Sequence, residues 1–249
     1  MYSFNSLTIQ PFNSSTVFKQ NQQHKNNLNP MPESQVSNIQ KNSLALRIPA
    51  QIISYVFHPL FLPTYLFIFL IRWVPFDFPN VTDWALKLKI FTVFYITGFF
   101  PAFAVFLLWR LKFSENIYLR TQKERIVPYV IIMFFYWWMY YLSRNFTDQP
   151  AVLKFFYMGI MLASVFGLIL NNYYKISMHA MGMGGIVAAI ILFSFYYRIP
   201  MGVQISAVLF FAGTVCTSRF LVSDHTNKEM YAGFFVGIFS QLIAYIFVM

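Results

Sequence analysis

From about residue 50 to the C-terminal methionine the chain repeats one pattern, an apolar run of about 20 residues followed by a short polar connector. About 20 residues is the length a helix needs to cross roughly 30 Å of hydrocarbon, and a helix satisfies its own backbone N–H and C=O groups there. Seven runs can be marked, at approximately 52 to 73, 90 to 110, 127 to 143, 151 to 171, 180 to 197, 200 to 217 and 230 to 249. His58, Pro59 and Pro63 interrupt the first and the third is short, so these two are expected to be kinked, tilted or partly re-entrant. The expected fold is all-α, a polytopic membrane bundle of about six to seven transmembrane helices. Composition agrees: 58% of the 249 residues are hydrophobic, 21% aromatic and only 10% charged, whereas a soluble domain carries about a quarter charged residues.

Residues 1–48 have a different character. Asn, Gln and Ser dominate, with no apolar periodicity, and a disordered polar tail is expected before a membrane domain over 49–249. The tail lacks the basic start, apolar core and small-residue cleavage site of a secretion signal. The net charge of +10 is scattered between apolar runs instead of forming a basic stripe beside exposed aromatics. Nucleic acid is therefore excluded, and membrane lipid is the natural partner. The single cysteine, Cys216, offers neither a disulfide nor a thiolate cluster. Trp and Tyr residues near the run ends suit an interfacial belt.

Parity of the crossings sorts the connectors. Segments 112–125, 171–179 and 218–229 follow an even number of crossings and share the tail's face, whereas the opposite connectors contain no histidine. Ionisable side chains at span ends are functional candidates because the bilayer makes them costly. Three clusters lie on the shared face. One is Ser218, Arg219, His225 and Glu229, where i, i+4 spacing lets a carboxylate orient an imidazole, or lets the two satisfy each other as an ordinary interfacial pair. A second is Lys175, Ser177 and His179, followed by Gly182, Gly184 and Gly185; these glycines suit a close helix contact more than a phosphate loop. The third, Arg120 to Pro128, contains Lys123 and Arg125, which read as phosphate ligands or as basic residues flanking a span, with Glu124 placed to pair locally.

In order, spacing and shared face these residues resemble the type-2 phosphatidic acid phosphatase superfamily, whose pattern is K-x6-R-P, then P-S-G-H, then S-R-x5-H-x3-D. Ser218, Arg219 and His225 match the third motif at every spacing, with Glu229 in place of Asp. In the second, Ser177 and His179 are kept while Ile176 and Met178 replace Pro and Gly. In the first, Arg125 is the counterpart of the arginine, Pro128 is displaced by two residues and Tyr118 stands at the lysine position, which Lys123 or Arg120 could serve from another turn.

The resemblance implies a membrane phosphatase acting on a lipid phosphate or isoprenyl diphosphate without metal or cofactor. It implies that His225 attacks phosphorus and forms a phosphohistidine, with Glu229 orienting it and His179 serving as acid and then base. Arg219, Ser177, Arg125, Lys123 and Ser218 would bind the phosphate oxygens. The other carboxylates are dispersed, with no pair resembling a magnesium site. His24 and His58 match no motif, and His58 reads as a structural histidine at a kink. A catalytically degenerate lipid-phosphate-binding protein of the same fold is the alternative. Most Lys and Arg lie on the tail's face, which favours a cytoplasmic position; the resemblance implies instead an extracytoplasmic active-site face, the orientation expected here.

Overall fold

The structure, a computed structural model, describes residues 33–79, 81–112, 121–146, 149–223 and 225–249, without side chains for 33–44. The chain divides into two compact units, 1–45 and 46–249. Most of the stretch read as a polar tail, residues 1–32, lies outside the described residues, and its remainder opens a helix, α1, Glu33–Val56.

The described residues of the second unit are helical, with no strand. After α1 come α2, Leu62–Trp73, and a 3-10 turn at Pro75–Asp77. Next is one long rod made of α3, Asp83–Phe94, a π-turn at Tyr95–Phe99, and α4, Phe100–Arg110. The remaining helices are α5, Gln122–Asn145; α6, Ala151–Asn171; α7, Met178–Tyr197; α8, Gly202–Val222; and α9, Asn227–Val248. Six of these elements, counting the rod once, are long and apolar enough to cross a membrane.

The first of the seven expected runs is not a continuous span. Pro59 disfavours helical backbone at His58, and the chain leaves the helix over 57–61 before Pro63, a residue suited to a helix's first turn, helps to start α2. At about 1.5 Å per residue, the 12 residues of α2 span about 18 Å, short of a full crossing. The π-turn has a similar cause. Pro101 has no N–H and its ring crowds the carbonyl four residues back, so the rod locally widens without breaking.

Helix α7 is the spine of the bundle, with 67% of its apolar window buried against 22% for α8. Because lipid is as apolar as a leucine side chain, helices in a bilayer associate by close packing. Here the small residues carry that packing. A Cβ at Gly184 would stand 2.0 Å from the carbonyl oxygen of Phe234, and one at Gly237 would stand 2.0 Å from that of Met181. The backbones of α7 and α9 therefore touch. At the end of the same seam, a Cβ at Gly233 would meet the Ser177 carbonyl oxygen at 2.6 Å, which fixes the start of α7 against the first turns of α9.

Candidate functional site

Two capping boxes shape the polar end of the bundle. Thr121 accepts from the Glu124 N–H and Glu124 Oε2 accepts from the Thr121 N–H at 3.0 Å. Thr226 and Glu229 repeat the arrangement, with Glu229 Oε2 accepting from the Thr226 N–H at 2.8 Å. Each box satisfies two backbone donors that would otherwise be free at a helix start, and each carboxylate complements the positive end of its helix. Helices α5 and α9 consequently begin earlier than their apolar runs, at Gln122 and Asn227.

The boxes also give Glu229 a place at the start of its helix. His225 precedes the cap instead of lying in a helix with Glu229, whose carboxylate is held first by the Thr226 amide. His225 Nδ1 is still 3.5 Å from Glu229 Oε2, longer than an ordinary hydrogen bond, and has no hydrogen-bond partner among the described residues. Its side chain is 4% exposed. Burial first, then the guanidinium groups of Arg125 and Arg219, push the imidazole down to about 4, against the opposing pull of Glu229. His225 is thus neutral at physiological pH.

The connector before α7 is clamped from both sides. Buried Arg125 donates from Nη1 to the Ile176 carbonyl at 3.1 Å, and the Ser177 N–H donates to the Glu229 carbonyl at 3.3 Å. Asn171 at the end of α6 donates to the Gln122 carbonyl at 2.9 Å. These contacts tie together the ends of α5, α6, α7 and α9. His179 and His225 lie within electrostatic range of each other and of Arg219, and Arg125 is within range of Arg219 and His225. All three sequence clusters therefore converge at one end of the bundle. The buried Nε of Arg219 has no partner among the described residues.

Not every expected ligand joins them in the same way. Ser177 caps α7, its hydroxyl accepting from the Ala180 N–H at 3.4 Å, and its proton is left to donate. Ser218 donates its proton to the Thr214 carbonyl at 2.8 Å, a bond within its own helix. Lys123 is exposed in the first turn of α5, on a different side of that turn from buried Arg125. Arg120 and Tyr118 lie outside the described residues, as does His24.

The structure adds His58. Its ring meets that of His179 edge-on, with centroids 5.1 Å apart at 84°, and its Nδ1 accepts from the Leu60 N–H at 3.4 Å. His179 in turn donates from Nε2 to the Ser54 carbonyl at 3.0 Å, so two residues of the broken first run, Ser54 and His58, hold the α7 histidine. Nδ1 of His179 is then the nitrogen left for a ligand. The only sequence signal was an imidazole next to prolines inside an apolar run. Among the described residues no group of three or more His, Cys, Asp or Glu side chains is arranged to hold a metal.

With Arg125, Arg219 and the connector's Lys175 against the two capping carboxylates, Glu124 and Glu229, the end of the bundle carries excess positive charge even with its histidines neutral, which suits an anion. No family model, curated protein or solved structure matches the chain.

Proposed function

We propose that the chain is a membrane phosphatase that hydrolyses a lipid phosphate or lipid diphosphate through a phosphohistidine at His225. The observation that carries this reading is the convergence of His179, His225, Arg125 and Arg219 from three separate parts of the chain. Neutral His225 has a basic nitrogen, and because Nδ1 faces Glu229, Nε2 is the one free to attack phosphorus. Arg125 and Arg219 neutralise the charge on the nonbridging oxygens as the bond to the leaving oxygen breaks.

His179 supplies the leaving oxygen's proton from Nδ1 while Nε2–H stays on the Ser54 carbonyl. This requires the imidazolium form, which a bound phosphate dianion stabilises among the surrounding cations. In the second half-reaction His179 takes a proton from water, the hydroxide displaces His225 from phosphorus, and phosphate leaves. The site faces away from the cytoplasm in this proposal.

A second reading, binding without turnover, is favoured by one observation: the Glu229 oxygen nearest His225 is already engaged by its capping box. Phosphate release from a panel of lipid phosphates by purified protein separates the two. Release that is abolished in His225→Ala supports the phosphatase; saturable lipid-phosphate binding with no release supports the binder.

A further inference from the structure

One cavity of about 300 Å³ opens beside the histidines. His58 and His179 line one end, and its walls run along α5 from Tyr129 to Tyr136 and along α7 from His179 to Ile186. Seven residues on each helix correspond to a depth of about 10 Å. Tyr129 lies one helical turn beyond Arg125, so the cavity continues from the cationic cluster into the membrane interior.

The walls are almost wholly apolar, with Ala163, Ile160 and Met181 among them. The histidines aside, the polar side chains among them are Tyr129, Tyr136, Ser164 and Gln241, and of these Tyr129 Oη and Gln241 Oε1 are buried without a hydrogen-bond partner among the described residues. A space of this kind disfavours bulk water, yet leaving it empty deprives its lining atoms of contacts. The occupant that fits is apolar. At about 30 Å³ for a water-sized group, the volume takes roughly ten methylene-sized groups, one chain and not two.

We propose that this cavity holds the phosphate-proximal part of one apolar chain of the substrate, and so selects single-chain lipid phosphates over two-chain ones. The inference rests on the phosphatase reading only in that the phosphate held at the His and Arg cluster delivers the chain. A two-chain lipid has to leave its second chain in the bilayer.

The test uses the full chain in lipid nanodiscs and a dodecyl phosphate carrying a photoreactive diazirine at mid-chain. Labelling is expected on the segments containing Ala163 and Met181, competed at least tenfold better by unlabelled dodecyl phosphate than by a diacyl phosphatidate. Ala163→Phe, which fills the cavity, should reduce that labelling at least tenfold and leave hydrolysis of a small water-soluble phosphate ester within about twofold. Labelling confined to lipid-facing positions such as Phe210 and Phe239, or equal competition by the diacyl lipid, overturns the proposal even if phosphate esters are hydrolysed. Cavity labelling in a protein that hydrolyses no phosphate ester removes the phosphatase reading and leaves the chain site standing. Because the wild-type labelling pattern decides the question, misfolding of the variant does not.

Discussion

Replacing Gly184 with alanine tests how the site is held together. Its Cβ would stand 2.0 Å from the Phe234 carbonyl oxygen, whereas ordinary contact begins at 3.4 Å, so α7 and α9 must separate locally by about 1.4 Å. The obstacle is backbone and cannot rotate away. Alanine favours helix over glycine by about 1 kcal/mol, while overpacking of this kind costs about 1–3 kcal/mol and occasionally more. Net destabilisation is therefore expected to reach about 2 kcal/mol. Misplacing reacting groups by about 1 Å costs on the order of 100-fold in rate, and the seam is what holds His179 near His225. Gly237→Ala should behave alike, its Cβ being 2.0 Å from the Met181 carbonyl oxygen. Gly202 and Gly213 have nothing within 4 Å of an added Cβ and serve as controls. The assay is thermal unfolding of purified protein with phosphate release measured on the same samples. If Gly184→Ala and Gly237→Ala unfold and turn over like Gly213→Ala, the α7–α9 seam does not position the site.

Other outcomes follow from single contacts. Glu229→Gln should keep the capping box, which accepts Gln at that position, and so preserve thermal stability while turnover falls about tenfold with loss of the charge beside His225; equal loss of both would assign Glu229 to the cap alone. The His225 imidazole, followed by NMR of histidine-labelled protein and assigned by its loss in His225→Gln, should titrate near 4, and a midpoint near the ordinary 6.5 would contradict its burial within range of two guanidinium groups. The linked sign is that an unfolded chain binds this proton at a higher pH than the folded one. His225 therefore makes stability fall as pH drops from about 6.5 towards about 4, and an opposite slope attributable to His225 would refute the assignment. Lys123→Ala should change turnover by less than about twofold because the side chain is exposed, whereas His58→Ala should slow it at least tenfold by releasing the His179 ring; the reverse order of effects would return Lys123 to the site.

The membrane bundle was legible because run length identifies a crossing wherever no proline pair breaks the run, and each of the six long helices covers its apolar run almost throughout. What run length conceals is polar helix at the ends. T-Q-K-E and T-N-K-E read as connector, yet each is a capping box inside which a helix has begun. Reading those four-residue strings as caps would have placed His225 outside α9 and committed Glu229 to Thr226. The grouping of Arg125, His179, Arg219 and His225 followed from parity, since charged ends of alternate helices share a face. His58 was missed for a reason of distance: Ser54, in the same broken run, lies 125 residues from its partner His179, and nothing local shows that a proline break folds back onto a later helix. The motif that singled out Ser218 gave no sign that its helix offers the hydroxyl an acceptor four residues back.

The most direct test is crystallographic. Tungstate, an oxyanion heavy enough to locate by anomalous scattering, is expected to give one strong peak in contact with His225 Nε2 and with the guanidinium groups of Arg125 and Arg219, and with His179 Nδ1 facing it. A peak at another surface, or imidazoles of His179 and His225 that cannot reach a common tetrahedral anion, would contradict the account.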